Sequence, residues 1–350
     1  MGEDDSAAWQ PVDEGQRGVY RFRQQHTFAV KNHPLSGITL PQLFKILWKH
    51  GRHIDYVTYG FRLAFCTLLA TVNTVAAVAE ASLYGSRIEK QELNDRPIFI
   101  LGHPRSGTTL IHNILSKDSR LNYCTTFMVG FPSSFFVMEW AKPYISNIID
   151  KTRPMDNMEL HMDLPQEDEI ATQMLSGGVS PYMCLFFMRQ ARAFWSFFTF
   201  RDARACDFEA WRASFIHFFK KVTLRWGGDP KRRMVIKSPV HTARIKVLLQ
   251  MFPNAQFVYV HRNPYEVYAS ASHMAQAYYW YCYFALPDDR HVTEFVLNQY
   301  ELMHREYVAT RDLIPKGNLV EVRFDDLDRD PKGQIRRVYD ALGLDWNGGG

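Results

Sequence analysis

The sequence has few cysteines, and none of them stands in a pair. Its 350 residues include five cysteines without a C-x-x-C motif, which argues against a disulfide framework and a zinc site. There is no N-x-[ST] sequon, and the acidic N-terminus lacks the basic and apolar regions of a signal peptide. These absences disfavour a Golgi lumen and favour the cytoplasm or a membrane surface.

The sequence also has little excess charge of either sign. Lys and Arg number 41 against 37 Asp and Glu, which gives a formal net charge of +4. That excess is too small for a general nucleic-acid binder but is compatible with an anionic ligand held locally. Nucleic acid is therefore not an expected partner. The hydrophobic content of 46% supports a sizeable core.

Only one apolar run is long enough to be considered as a membrane segment. "LAFCTLLATVNTVAAVA", residues 63–79, is bounded by Arg62 and Glu80 and interrupted by Asn73. It lies at the lower edge of a spanning length of about 17 to 25 residues. We therefore expect a packed or interfacial helix with a peripheral membrane contact rather than a span. With its flanks it forms an N-terminal helical appendage, residues 1–90.

From residue 91 to residue 350 the pattern is that of a single α/β domain. The apolar run "PIFILG" precedes a helical pattern in "TTLIHNILSK", and "MVIKSP" with "ARIKVLLQMF" repeats that order. "AQFVYVHR" and "NLVEVRF" add further strands. The alternation predicts a parallel sheet of about four to five strands flanked by helices. An aromatic, mainly helical insert occupies about residues 130–230, with Trp211, Phe215, Phe218 and Phe219 at core spacing.

The turn after the first strand is typical of a phosphate-binding loop but lacks its lysine. Gly102 and Gly107 keep the spacing of G-x-x-x-x-G-K-[ST], while Thr108 stands at the lysine position. Glycine lets the backbone approach an anion, and the helix that follows offers free N–H groups. Two alternatives stay open: a tight turn before an ordinary helix, and a kinase, which would need the missing lysine and a magnesium-binding acid.

"PRSGTT", from Pro104 to Thr109, resembles the 5′-phosphosulfate loop of the sulfotransferases, P-[RK]-S-G-T-T. These enzymes use 3′-phosphoadenosine 5′-phosphosulfate (PAPS) as donor. Their 3′-phosphate motif, an arginine at a strand end and a serine eight residues later, is similar to Arg262 and Ser270. The resemblance, over residues 90–345, implies a P-loop-like sulfotransferase fold and no metal. It implies PAPS contacts from Arg105, Ser106, Gly107, Thr108, Thr109, Arg262 and Ser270. For Arg262 alone a surface salt bridge would be the alternative.

A second resemblance concerns the base that takes the proton of a hydroxyl acceptor. "DLPQEDEIATQM" resembles the P-x-E-D-E segment of a sulfotransferase branch that also carries K-S-P-x-H, matched here from Lys237 to His241. Helical periodicity turns Glu167 inward and Glu169 outward. We expect Glu167 to be the base, with Asp168 second and His241 as the rival. A structural role for first-turn acids is the alternative.

Lys237 ends a predicted strand at the same sheet edge as Arg105. Both cations are expected to steady the migrating sulfonate, although a capping or surface lysine is the alternative. The aromatic insert, together with residues 63–79, predicts a lipid or another bulky apolar alcohol as the acceptor. An inactive membrane-associated scaffold with the same fold is a different class of function. The chain ends at "DWNGGG", where relatives usually continue.

Overall fold

The computed structural model describes residues 19–346. The first 18 residues and the last four, which include the end of "DWNGGG", lie outside the described residues. The strands are β1 (Ile98–Leu101), β2 (Leu121–Asn122), β3 (Arg233–Lys237), β4 (Gln256–His261) and β5 (Leu319–Arg323). The helices are α1 (Leu40–His50), α2 (Tyr56–Lys90), α3 (Thr108–Leu115), α4 (Thr126–Gly130), α5 (Lys142–Ser146), α6 (Asp168–Ser176), α7 (Ser196–Thr199), α8 (Ala205–Arg225), α9 (Ile245–Met251), α10 (Pro264–Tyr278), α11 (Asp289–Thr310), α12 (Phe324–Arg329) and α13 (Pro331–Leu342).

The five strands form one parallel sheet in the order β2-β3-β1-β4-β5. The register pairs Phe99 of β1 with Ile236 of β3 on one side and with Phe257 of β4 on the other. The predicted α/β fold with a parallel sheet is therefore confirmed. Since β1 is central and the chain visits strands on both of its sides, the loop after β1 lies at a point where ligands bind in such sheets.

Alternate side chains of β1 enter two different cores. Ile98 and Ile100 pack with Ile111 and Leu115 of α3 and with α13 on one face of the sheet. Phe99 and Leu101 pack on the other face with aromatic residues of α8. Burial on both faces explains why β1 is a continuous apolar run in the sequence.

The aromatic insert forms most of the second core. Trp211, Phe215, Phe218 and Phe219 of α8 are each at most 1% exposed, as their helical spacing predicts. These large side chains cover the sheet and contact the helix that follows β3. The insert therefore supports the edge of the sheet at which β1 and β3 end.

The N-terminal helices α1 and α2 form an antiparallel pair. The Leu40 N–H at the start of α1 donates to Thr74 Oγ1 of α2, and the Tyr56 hydroxyl donates to the Gly51 carbonyl where the chain turns. Apolar side chains of both helices share a core with the insert and with the region after α10, including Ile46, Cys66, Ala70, Met174, Met183 and Tyr279. The pair is thus packed against the main body along this core.

Candidate active site

The loop between β1 and α3 requires glycine at both of its ends. Gly102 has φ of +144° and Gly107 has φ of +98°, conformations that side chains disfavour. A Cβ on Gly107 would lie 2.2 Å from a ring carbon of Phe324, the first residue of α12. Non-glycine residues therefore clash here as well as strain the backbone. The ring of Phe324 in turn lies 4.6 Å below the Arg262 guanidinium.

The start of α3 leaves several backbone donors free. Within residues 19–346, no protein acceptor takes the N–H groups of Gly107, Thr108 or Thr109. The Ser106 hydroxyl, by contrast, is buried and donates to the His103 carbonyl at 2.8 Å, so it shapes the loop. Free N–H groups and the positive end of the helix dipole together favour an anion at this point.

Arg105 contacts two elements that are distant in sequence. Its Nε donates to Ser270 Oγ of α10 at 3.0 Å, and its Nη1 donates to Asp156 Oδ2 at 2.6 Å. The same Asp156 oxygen lies 3.4 Å from Nη2 of Arg153. The structure thus brings Ser270 to the loop through Arg105. Asp156 and Arg153 were missed because no motif marks their segment.

Arg262 follows β4 and does not reach Ser270 directly. Its Nε donates to Glu266 Oε2 at 2.8 Å, one helical turn along, and its guanidinium stacks on Phe324. No hydrogen bond joins Arg262 to Ser270 in the described chain. The surface ion pair considered as an alternative is therefore present, while the stacking keeps Arg262 beside Gly107.

Glu167, Lys237 and Thr109 meet at the end of β3. Lys237 Nζ donates to Glu167 Oε1 at 2.8 Å and lies 3.4 Å from Thr109 Oγ1. The other Glu167 oxygen accepts a 2.5 Å hydrogen bond from the Tyr182 hydroxyl. Lys237 is 3% exposed and the Glu167 side chain 23% exposed. A carboxylate, an ammonium and a hydroxyl from three elements therefore face one small space, and the motifs gave no sign of Tyr182.

The pKa of Glu167 reflects opposing effects. Burial raises the pKa, but the Lys237 ammonium and the hydrogen bonds from Lys237 and Tyr182 outweigh it, so the pKa lies below its ordinary value of 4.5. Arg153 adds a smaller lowering effect. Glu167 is therefore ionised at neutral pH and able to accept a proton.

Asp168 and His241 form a separate, fully buried pair. His241 Nε2 lies 3.0 Å from Asp168 Oδ2, and Ser238 Oγ donates to Asp168 Oδ1 at 2.8 Å. Burial raises the pKa of Asp168, but His241 and Ser238 outweigh it and leave the pKa below its ordinary value. Both side chains are 0% exposed. This pair ties the start of α6 to the segment after β3 and thereby positions Glu167, the adjacent residue.

The outward orientation predicted for Glu169 is wrong. Its carboxylate is fully buried and receives both Nη atoms of Arg244, at 2.6 and 3.0 Å. Helix α6 is enclosed on nearly all sides, since Thr172 and Gln173 are buried as well as Ala171 and Met174. Glu169 does share a face with Thr172, but that polar face packs against Ser180 and Arg244 instead of solvent.

Asp168, Glu169 and His241 also form a group with potential metal-ligand atoms within 4.8 Å of one another. The Arg244 guanidinium, however, occupies both oxygens of Glu169, and Ser180 Oγ donates to one of them at 2.7 Å. A bidentate cation already balances the carboxylate at the position that a metal would take. The cluster is therefore described by hydrogen bonds and an ion pair.

Comparison with known proteins identifies the family. Residues 97–348 match the model described as the sulfotransferase family. Two omega-hydroxy-beta-dihydromenaquinone-9 sulfotransferases Stf3, from Mycobacterium bovis and Mycobacterium tuberculosis, are 34% identical over 308 residues, which is 88% of this chain and 78% of each relative. The chain therefore belongs to the sulfotransferase family.

Two solved structures are similar in fold. Sulfotransferase STF1 from Mycobacterium tuberculosis H37Rv superimposes with a TM-score of 0.64 at 16% identity, over 88% of this chain and 83% of that one. Sulfotransferase STF9 from Mycobacterium avium gives 0.60 at 16% identity, over 89% and 85%. The predicted sulfotransferase fold is confirmed, and so is the predicted activity, sulfuryl transfer to a hydroxyl acceptor.

Proposed function

We propose that the loop before α3 binds the 5′-phosphosulfate of PAPS and that Glu167 is the general base. The observation that carries this proposal is the contact of Lys237 with both Glu167 and Thr109. It unites a carboxylate, a cation and the open N-terminus of a helix. The free N–H groups of residues 107–109 and the bare Gly107 fit an anionic group that approaches the backbone closely.

Each residue then has a definite task in an in-line transfer. Glu167 takes the proton of the acceptor hydroxyl as the acceptor oxygen bonds to sulfur. The bond between sulfur and the bridging oxygen of the donor breaks, and adenosine 3′,5′-bisphosphate leaves. Lys237 and Arg105 stabilise the charge on the sulfonate and on the leaving phosphate. When Lys237 turns toward that charge, the pKa of Glu167 rises and its basicity increases.

Asp168 and His241 have positioning roles in this proposal. Both are fully buried, Asp168 is engaged by His241 Nε2 and by Ser238, and His241 Nδ1 has no partner among the described residues. Glu167, by contrast, is partly exposed and contacts Lys237 directly. Glu167 is therefore the better candidate for the base.

For the 3′-phosphate we propose Arg262 and Ser270, as in the family motif. Arg262 is held beside Gly107 by Phe324, and Ser270 by Arg105. Isothermal titration with adenosine 3′,5′-bisphosphate and with ATP tests the donor assignment. We expect much weaker binding of ATP and a loss of bisphosphate affinity in Arg262→Ala. Equal affinities for adenosine 3′,5′-bisphosphate and ATP, both unchanged in Arg262→Ala, would overturn the assignment.

We propose a long-chain apolar alcohol as the acceptor. The mycobacterial relatives are named for an omega-hydroxylated menaquinone, a lipid with a terminal hydroxyl. In this chain Tyr182 touches Glu167, and the next residue, Met183, belongs to the apolar core that extends to Cys66 and Ala70 of α2. The segment after α6 thus joins the proposed base to the apolar core of the N-terminal helices.

A direct assay separates the classes of acceptor. Transfer of labelled sulfate from PAPS is measured with a polyprenyl alcohol, with a tyrosine peptide and with a simple sugar. We expect label in the polyprenyl product and little in the other two. Preferential labelling of the peptide or the sugar would contradict the apolar acceptor while leaving the donor assignment intact.

We also propose that α2 rests on a membrane surface. By length and composition α2 is long and apolar enough to cross a membrane, yet only 22% of its most apolar window is buried against the protein. Val57, Leu68, Val75 and Leu83 on its outer side are between 63% and 99% exposed. Such an extended exposed apolar face is typical of a protein or membrane contact.

The polar residues of α2 explain why this contact lies along the surface. Arg62 donates to the Ala29 and Tyr283 carbonyls at 3.0 and 2.5 Å, and Asn73 donates to the Ser36 carbonyl at 2.7 Å. Glu80 pairs with the buried Lys221. Since these contacts fasten one side of α2 to the body, a spanning orientation would break them. The helix therefore lies flat, as interfacial helices do.

The neighbouring sequence favours an anionic bilayer over a second copy of the chain. Residues 19–54 contain no Asp or Glu and six Lys or Arg, at positions 21, 23, 31, 45, 49 and 52. Helix α1 in that stretch also exposes Phe44 and Trp48. A second copy would bring like charges together, whereas anionic lipids attract them.

Vesicle flotation tests the membrane contact. The full chain is mixed with vesicles of phosphatidylcholine and phosphatidylglycerol, and the variant Leu68→Ser/Val75→Ser is compared with Leu313→Ser, whose leucine is 54% exposed elsewhere. We expect flotation of the wild type and the control and loss for the double variant. Absence of wild-type flotation, or a concentration-dependent dimer abolished by the double variant, would overturn the proposal.

A further inference from the structure

A short hairpin at residues 151–160 covers the loop between β1 and α3, residues 102–107, which we call the anion loop. Its two arms are joined by an antiparallel bridge between Thr152 and Glu159, and the Leu160 N–H donates to the Lys151 carbonyl at 2.8 Å. The Arg153 N–H donates to the Met158 carbonyl at 2.8 Å across the turn. The hairpin thereby fixes the backbone of Arg153 and directs its side chain toward the loop.

Arg153 lies beside Lys237 and Thr109, at the part of the site where the sulfonate would be transferred. Its side chain lines a small cavity together with Thr109, Gln166 and Lys237. Arg105 and Ser270, which contact each other, do not line this cavity. The groups that surround the cavity are thus the cation and the hydroxyl beside the proposed base, and Arg153 adds a second cation there.

Asp156 interacts more weakly with Arg153 than with Arg105. Asp156 Oδ2 lies 2.6 Å from Arg105 Nη1 but 3.4 Å from Arg153 Nη2, and the Met158 N–H donates to the other oxygen at 3.3 Å. Arg105 therefore already neutralises this carboxylate. The Arg153 guanidinium keeps donors for a further anion, because it carries five N–H groups.

We propose that Arg153 binds the sulfonate of the donor, the group that is transferred, as a cation beside Lys237. This role rests on the proposed function. Asp156 pairs mainly with Arg105, while the hairpin backbone places Arg153 at the cavity. The fork of the guanidinium suits two sulfonate oxygens at once, which a lysine at this position would not match.

Binding measurements test this role without any acceptor. Isothermal titration compares PAPS with adenosine 3′,5′-bisphosphate, which lacks the sulfonate, for wild type, Arg153→Gln and Arg153→Lys. We expect Arg153→Gln to weaken PAPS binding about tenfold, as for loss of a charge-assisted hydrogen bond, and bisphosphate binding less than about twofold. Arg153→Lys should restore part of the PAPS affinity. Equal weakening of both ligands, or of neither, would overturn the role.

Two further variants exclude a structural explanation. If Arg153 served only to hold Asp156, then Asp156→Asn would reproduce the selective loss of PAPS affinity; we expect that it does not. Arg212→Gln, which removes an exposed pair with Glu209, is the matched control and should change neither affinity. Thermal melts check that each variant is folded. If the wild type fails to bind the bisphosphate, the donor assignment itself falls; if it binds and Arg153→Gln behaves like wild type, only Arg153 is reassigned.

Discussion

Lys237 at the end of β3 donates to Glu167 at the start of α6 across 2.8 Å, and this contact joins the sheet edge to the helical insert. Lys237 is 3% exposed and lies 3.4 Å from the Thr109 hydroxyl as well. One ammonium therefore links the anion loop with the proposed base. Its release from Glu167 would couple stabilisation of the transferred group to activation of the base.

The first prediction concerns Glu167→Gln. The amide keeps the size and much of the hydrogen bonding to Lys237 and Tyr182 but cannot accept a proton. Turnover with a polyprenyl alcohol should fall about 10²- to 10⁴-fold, while bisphosphate affinity stays nearly unchanged. Asp168→Asn and His241→Ala serve as comparisons, with thermal melts for each. Wild-type turnover in Glu167→Gln together with inactivity of a folded His241→Ala would make His241 the base.

The pH dependence follows from the lowered pKa of Glu167. The base must be ionised, so kcat/KM should be flat above this pKa and fall about tenfold per pH unit below it. Because the pKa lies below 4.5, the wild-type profile should stay flat from neutral pH to below that value. In Lys237→Met the main lowering effect is lost while burial remains, so the acid limb should move to higher pH. If the normalised kcat/KM profiles of the wild type and Lys237→Met coincide, the prediction is wrong.

Lys237 itself should act on the transferred group more than on donor affinity. Lys237→Ala is expected to lower kcat by about 10²-fold or more, as for loss of one preorganised charge-stabilising donor. Initial-rate kinetics and titration with adenosine 3′,5′-bisphosphate separate the two effects. A variant in which only the KM for PAPS rises would show that Lys237 is a binding residue.

The parts predicted from sequence share a physical cause. Buried parallel strands are continuous apolar runs, so β1, β3, β4 and β5 could be recognised, whereas β2 has two residues and leaves no pattern. The anion loop could be recognised from a short motif because Gly102 and Gly107 adopt positive φ, a conformation that glycine favours. Motif and spacing also indicated residues that the structure brings together, among them Glu167, Lys237 and Thr109.

Other parts depend on contacts between distant segments. Asp156 meets Arg105 only because a hairpin folds over the loop, and Tyr182 meets Glu167 through a 3-10 helix after α6. Glu169 was predicted to face solvent because its side of α6 is polar, but segments distant in sequence bury that side. Its partner Arg244 lies 75 residues away, a separation over which sequence patterns carry no information.

The burial of Glu169 gives a prediction about stability. Glu169→Ala leaves Arg244 fully buried without its counter-ion, so the free energy of unfolding should fall by about 3 to 5 kcal/mol. Glu209→Ala, on the exposed side of α8, removes a pair worth about 0 to 1 kcal/mol and is the control. Urea denaturation followed by circular dichroism measures both. A loss of under about 1 kcal/mol for Glu169→Ala would mean that Arg244 finds another partner.

The last prediction isolates the role of Gly107 in donor binding. Gly107→Ala meets two costs: φ of +98° and a Cβ 2.2 Å from the Phe324 ring. Gly317 has a similar φ of +85° but open space around its Cβ, so Gly317→Ala carries the backbone cost alone. The Gly107 variant should therefore displace Phe324 and with it Arg262, which stacks on that ring 4.6 Å away.

We expect bisphosphate affinity to fall at least about tenfold in Gly107→Ala, because the backbone donors and the Arg262 cation are both disturbed. Gly317→Ala should lose some thermal stability and keep its affinity. Adding Phe324→Leu to Gly107→Ala relieves the clash, so a partial return of affinity in the double variant would show that the ring contact matters. If Gly107→Ala alone loses no affinity, the donor does not approach this backbone closely.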